Sequence, residues 1–140
     1  MRAPRSEDTT PVPQLSRILF VEDELDIQMV ARLALEDIGG FTVEVCSSGS
    51  EALEKAPVFR PELILMDVMM PEPDGPATLR ALAQQPESAA TPVVFVTAKV
   101  QQHEVAEYLE LGALDVIVKP FDPMTLADRV LEIWHRHHGG

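Results

Sequence analysis

The sequence predicts an α/β domain: a (βα)5, doubly wound, five-stranded parallel sheet with helices on both faces. Three observations lead there. Short apolar runs recur along the chain, and each stops abruptly at a polar residue. Between them lie stretches whose apolar residues follow a 3.6-residue period. The two patterns alternate, strand then helix, five times over. Continuous apolar runs of this length suit strands covered on both faces, as in a parallel sheet. Alternation with short connections builds such a sheet through crossover helices.

The elements follow in order. Ile18-Leu19-Phe20-Val21 is the first strand and stops at Glu22-Asp23-Glu24. Ile27, Val30, Ala31, Ala34, Leu35 and Ile38 give the first helix its apolar stripe between Leu25 and Ile38, and Gly39-Gly40 ends it. Thr42 to Cys46 (TVEVC) alternates polar and apolar and fits an edge strand. Ser48 to Lys55 is a shorter helix with Ser48 near its N-cap, expected to end before Pro57. Leu63-Ile64-Leu65-Met66 stops at Asp67, and Gly75 to Gln84 is the third helix. Val93-Val94-Phe95-Val96 stops at Thr97; His103 to Leu111 follows, capped by Gly112. Val116-Ile117-Val118 stops at Lys119, and the last helix is expected from Asp122 to His137, with Asp122 as N-cap and Pro123 at its first position.

The chain has 140 residues, 46% of them hydrophobic, which suits one domain with a core that needs no disulfide. Residues 1–14 mix Pro, Thr, Ser and charges without periodicity, so a disordered tail is expected there, with the domain over 15–138 and no output domain after it. A formal net charge of -12 repels nucleic-acid phosphates and anionic membrane surfaces, which argues against direct binding to either. No stretch approaches the roughly 18 apolar residues of a membrane span, and the N-terminus lacks the apolar core of a secretory signal. A soluble, cytoplasmic chain is the expectation. The single cysteine, Cys46, ends an apolar run and reads as a small buried hydrophobe.

The chemistry lies where the strands end. In an open α/β sheet, ligands bind outside the carboxyl ends of the strands. Glu22 and Asp23, then Asp67, Thr97 and Lys119, all arrive at that edge from four separate strands. Carboxylates packed together need raised pKa values or a cation, and a hard, oxygen-liganded Mg²⁺ is the simpler solution. No His ends a strand at this edge, and the one Cys, closing the edge strand, reads as a buried hydrophobe, which argues against zinc or copper. Lys119 adds a positive point charge and Thr97 a hydroxyl donor, making a cradle for a transferring phosphoryl group. Asp67 is the natural nucleophile, since a carboxylate forms a covalent acyl phosphate.

Four motifs carry a family resemblance: ILFVEDE (Ile18 to Glu24), LILMDVMMPEPDG (Leu63 to Gly75), VVFVTAK (Val93 to Lys99) and DVIVKPFDP (Asp115 to Pro123). In this order and spacing the chain resembles a response-regulator receiver domain, the phosphorylated half of bacterial two-component systems, from about Arg17 to His137. The resemblance implies a CheY-like, flavodoxin-like fold with strand order 2-1-3-4-5. It implies that Asp67 is the phosphoacceptor, that Asp23 is a direct Mg²⁺ ligand with Glu22 acting mainly through water, and that the Met69 backbone carbonyl is a further ligand. Thr97 becomes a switch hydroxyl that turns toward the phosphoryl group and Lys119 the ion-pair partner of that group; Ala98 is a small residue leaving access to Asp67, and the Lys119–Pro120 peptide is cis. The implied partners are a histidine kinase or histidine phosphotransfer protein upstream and a protein target downstream. The chain is then a signalling module, no enzyme beyond its own phosphorylation and dephosphorylation.

Departures are as informative. The family often has Tyr or Phe three residues before the strand-five lysine; here that residue is Val116, which cannot swing as an aromatic does. Tyr108 is a candidate substitute, although a helix tyrosine is ordinarily packed. Met69 and Lys99 match variable positions that tune loss of the phosphoryl group, and an apolar Met69 cannot orient water, so a slow to moderate decay is expected. Asp115 and Arg129 fall where some relatives pair across a dimer, leaving a monomer or a weak dimer through the fourth helix, fifth strand and fifth helix. Pro71, Pro73 and Gly75 read as a turn, and His135, His137 and His138 as complements to a helix C-terminus. A small-molecule phosphatase needs a second acid/base carboxylate and a cap, and an FMN module a phosphate-cradling loop after strand one; neither is present.

Overall fold

Every residue of Leu63–Asp67 and of Val93–Thr97 is buried, because these two strands are covered by helices on both faces. A computed structural model describes residues 12–98 and 101–139. Its strands are β1 (Arg17–Val21), β2 (Thr42–Cys46), β3 (Leu63–Asp67), β4 (Val93–Thr97) and β5 (Asp115–Val118). They pair in parallel in the order β2-β1-β3-β4-β5, with the alternating TVEVC strand at one edge. This is the CheY-like α/β arrangement that the sequence implied.

Successive strand side chains point to opposite faces, and the core divides accordingly. Ile18, Phe20, Leu63, Leu65, Val94 and Val96 face one layer, with Ala31, Ala34 and Leu35 of the first helix and Leu126, Val130 and Ile133 of the last. Leu19, Val21, Ile64, Met66, Val93 and Phe95 face the other, against Ala52, Ala56, Leu79 and Leu82 of the second and third helices. Both faces need apolar side chains, which is why the strands read as unbroken apolar runs.

The helices are α1 (Leu25–Arg32), α2 (Gly49–Phe59), α3 (Gly75–Ala83), α4 (Gln102–Leu111) and α5 (Leu126–Gly139). Three differ from expectation. The first keeps α geometry only to Arg32 and continues as a π-helical segment, Leu33–Ile38, in which the Gly39 amide reaches back five residues to the Ala34 carbonyl. The second runs through Pro57 instead of ending before it. Proline removes the amide that would bond the Leu53 carbonyl, and the Gln85 carboxamide donates to that carbonyl instead at 2.8 Å. The last begins at Leu126, four residues later than expected. Asp122 initiates a turn: its carboxylate accepts from the Met124 amide (2.9 Å) and its carbonyl from the Leu126 amide (2.9 Å).

Val12 packs on the α1/α5 core layer, and the Pro13 carbonyl accepts from the buried Trp134 indole at 2.7 Å. Residues 1–11, and Lys99, lie outside the described residues. Cys46 is fully buried, and burial pushes its thiol up to about 12, so it packs as an inert apolar group. Among the described residues no helix is long and apolar enough to cross a membrane.

Candidate functional site

Register brings the site together. Val21 pairs with Met66, so Glu22 and Asp67, one residue further on, emerge side by side at the reversal of strand order between β1 and β3. Thr97 pairs with Val118, so Lys119 emerges next to Thr97, and the Lys119 amide donates to the Thr97 carbonyl at 2.7 Å. Parallel strands all end on the same side, so the polar residue that ends each apolar run lands at one edge.

There the carboxylates of Glu22, Asp23 and Asp67 offer oxygens that all lie within 4.8 Å of one another. Glu22 is 0% exposed and Asp67 4%, while Asp23 faces solvent. The Lys119 ammonium sits 3.1 Å from Glu22 Oε1 and 3.5 Å from Asp67 Oδ2. One cation against three carboxylates leaves the cluster two charges negative when all are ionised. Burial and the neighbouring Asp67 charge raise the Glu22 pKa, against the pull of the Glu24 amide and Lys119. Burial opposes the charge on Lys119, but its hydrogen bond to Glu22 and the charge of Asp67 outweigh that and hold it above the usual lysine range.

An all-oxygen donor set with an uncompensated negative charge fits a hard divalent cation such as Mg²⁺. Receiver domains bind Mg²⁺ at an acidic pocket of this composition. The Met69 amide donates to Asp67 Oδ1 at 3.3 Å, and the Met69 side chain is 76% exposed beside it. Gly75 holds the following loop close: its amide donates to the Val68 carbonyl at 3.0 Å, and Asp74 caps α3 by accepting from the Ala77 amide at 2.9 Å. Thr97 is buried at the end of β4. Ala98, Lys119 and Pro120 line an open cleft alongside α1, and the Lys119–Pro120 peptide is cis.

Val116 is buried in the α2/α3/α4 core layer and lines no part of the carboxylate cluster. Tyr108 also belongs to that layer, its ring edge-on to Phe95 at 5.2 Å. Asp115 pairs within its own chain, with Arg136 at 3.1 Å and Arg129 at 3.7 Å. At the end of α5 the Trp134 carbonyl lies 3.0 Å from His138 Nδ1, whose ring lies against the indole. One residue that sequence reasoning missed touches the acidic loop: Gln28 donates to the Glu22 carbonyl at 2.6 Å and also to the Ser47 hydroxyl at 3.1 Å. A side chain bonded to a backbone carbonyl leaves no periodic trace in sequence, so only the fold reveals it.

Comparison with known proteins identifies the family and agrees with the fold. A family model described as response regulator receiver domain matches residues 18–131. The chain is 39% identical over 120 residues to the alkaline phosphatase synthesis transcriptional regulatory protein PhoP of Bacillus subtilis, covering 86% of this chain and 49% of that protein. It is 36% identical over 124 residues to the transcriptional regulatory protein CpxR of Escherichia coli, covering 89% of this chain and 51% of that one. It thus spans about half the length of the curated relatives it matches. Among solved structures, the Vibrio cholerae chemotaxis protein CheY4 superimposes with a TM-score of 0.79 at 31% identity, covering 86% of this chain and 99% of that one. The transcriptional relatives correct the exclusion of nucleic acid from the partners: the charge argument applies to this acidic surface and does not extend to the unmatched half of such proteins. The fold agrees with the solved structure, and the chain belongs to the response-regulator receiver domain family of two-component systems.

Proposed function

We propose that Asp67 accepts a phosphoryl group from a phosphohistidine on a partner histidine kinase or histidine phosphotransfer protein. The observation that carries this reading is the Lys119 ammonium bridging Glu22 and the buried Asp67 carboxylate. An Asp67 carboxylate oxygen forms the new P–O bond while the P–N bond of phosphohistidine breaks and the imidazole leaves with the electron pair. Mg²⁺, when bound, neutralises charge on the transferring oxygens; Asp23, Asp67 and the Met69 carbonyl would hold it directly and Glu22 through water. Lys119 supplies fixed positive charge, and Ala98, being small, leaves the approach open. Thr97 is the switch hydroxyl that answers the new phosphoryl oxygens, and Lys119 is the ion-pair partner of the phosphoryl group.

Output then travels by protein contact from a cytoplasmic module, as a monomer or a weak dimer through α4, β5 and α5. Asp115 is engaged within its own chain, which favours the monomer. Buried Val116 leaves Thr97 and α4 to convey the change, and the exposed, apolar Met69 leaves hydrolysis slow to moderate. Turnover of external substrates is not expected, because Met69 stands where a phosphatase of this topology needs a second acid/base carboxylate.

The test is Mg²⁺-dependent phosphorylation by acetyl phosphate, read by intact mass. One phosphoryl adduct on wild type, lost with chelator and in Asp67→Asn, is the expected result. No adduct on wild type, or an undiminished adduct on Asp67→Asn, overturns the proposal. Sustained turnover of p-nitrophenyl phosphate beyond one equivalent would point to a phosphatase instead.

A further inference from the structure

We infer that Gln28 is a positioning residue for the cation site, holding the acidic loop after β1 in its binding geometry by clamping it to the loop after β2. This rests on the Mg²⁺ reading above. Glu22 is the hinge of that loop: fully buried, one residue from Asp23 and beside Asp67. Its amide is already fixed, donating to the Cys46 carbonyl at 2.9 Å. Its carbonyl accepts from the Gln28 carboxamide nitrogen at 2.6 Å. The same nitrogen donates to the Ser47 hydroxyl at 3.1 Å. A primary carboxamide has two N–H groups, and this geometry uses one for each loop.

Both anchor points are themselves rigid. Gln28 lies in the first turn of α1, its amide bonded to the Glu24 carbonyl at 3.0 Å. The Ser47 amide donates to Glu51 Oε1 at 2.6 Å, and Glu51 in turn pairs with Lys55 at 3.1 Å, so Ser47 is tied to α2. The clamp therefore joins α1, the acidic loop and the start of α2. Carboxylates crowded within 4.8 Å without a cation push one another apart. A loop held against this repulsion before the cation arrives loses less freedom on binding, so affinity rises without any added ligand.

Gln28 contacts no carboxylate of the cluster, so its removal should change cation affinity while leaving the ligands in place. The measurement is Mn²⁺ binding to the whole chain by electron paramagnetic resonance, with Mg²⁺ competition. Thermal melting of metal-free protein is recorded in parallel. Gln28→Met, which keeps the stem and removes both donors, is expected to weaken binding about tenfold, within the range for outer-shell partners. Ser47→Ala removes only the longer bond and should weaken it roughly threefold. Gln28→Arg, which restores N–H donors at similar reach, should recover most of the affinity. Unchanged Kd in both Gln28→Met and Ser47→Ala overturns the inference, as does a weakening matched by a general loss of stability. If wild type binds no cation, or binds it equally well after Asp23→Asn and Asp67→Asn, the Mg²⁺ reading itself falls and the clamp with it.

Discussion

The Lys119 ammonium lies 3.1 Å from the carboxylate of Glu22, 97 residues earlier in the chain, with the Glu22 side chain 0% exposed and that of Lys119 12%. A buried ion pair of this kind is costly to leave half-made, because the remaining charge has no water to turn to. Lys119→Met is therefore expected to destabilise the metal-free domain by on the order of 3 kcal/mol at neutral pH. Adding Glu22→Gln should recover part of the loss, since the buried charge goes with it. Urea denaturation of the two variants checks this; a loss under about 0.5 kcal/mol for Lys119→Met would show that the pair contributes no more than a surface one.

Asp67 has the opposite effect on the empty site. Its charge adds to the effect of burial in raising the Glu22 pKa, and neutralising it leaves the Lys119–Glu22 pair in place. Metal-free Asp67→Asn should be more stable than wild type by about 1 kcal/mol. Mg²⁺ in about tenfold excess over its Kd should stabilise wild type by about 1.4 kcal/mol and the variant by much less. Thermal melts with and without Mg²⁺ measure both effects, and an equal response of the two proteins would contradict the assignment.

Gly75 is the position where the loop after β3 tolerates no side chain. A Cβ there would lie 2.6 Å from the Asp67 carbonyl oxygen and 2.8 Å from Val68 Cα, both backbone atoms that cannot swing aside. Gly75→Ala should cost about 2–3 kcal/mol and slow Asp67 phosphorylation by displacing the segment that carries it. At Gly40 the space is open and only a positive φ of 77° opposes a side chain, so Gly40→Ala should cost about 1 kcal/mol and leave phosphorylation unchanged. Urea midpoints and phosphorylation rates of the pair separate the two causes.

Glu62 anchors the start of the domain and confers acid sensitivity. Its carboxylate accepts from the Ser16 amide at 2.7 Å, the Arg17 amide at 2.9 Å and the Ser16 hydroxyl at 3.0 Å. Burial alone would raise its pKa, but the bonds from Arg17 and Ser16 outweigh this and hold it below the usual glutamate range. A depressed carboxylate contributes its stability above the unfolded pKa, about 4.3, and loses it as pH falls through the folded value. Glu62→Gln should cost about 1 kcal/mol at pH 7 and flatten the acid limb of the stability profile below about pH 4.3. A pH series of denaturant melts checks this; an unchanged acid limb would place the sensitivity elsewhere.

Much of this protein was legible in its sequence alone. The apolar runs from Ile18, Leu63 and Val93 show strands buried on both faces, and the polar residue closing each run marks the site, because parallel strands all end at one edge. Glu22, Asp67, Thr97 and Lys119 needed no coordinates to be singled out. What only the tertiary structure decided is how local rules are overridden. Pro57 stays inside a helix because Gln85, 28 positions later, bonds the carbonyl that proline leaves open. Pro13 is held against α5 because the Trp134 indole needs an acceptor once buried. Gln28 reaches Ser47 as well as the acidic loop because folding places the ends of β1 and β2 side by side. Periodicity and strand ends are written into neighbouring residues; a hydrogen bond between distant segments depends on where the whole chain sets them.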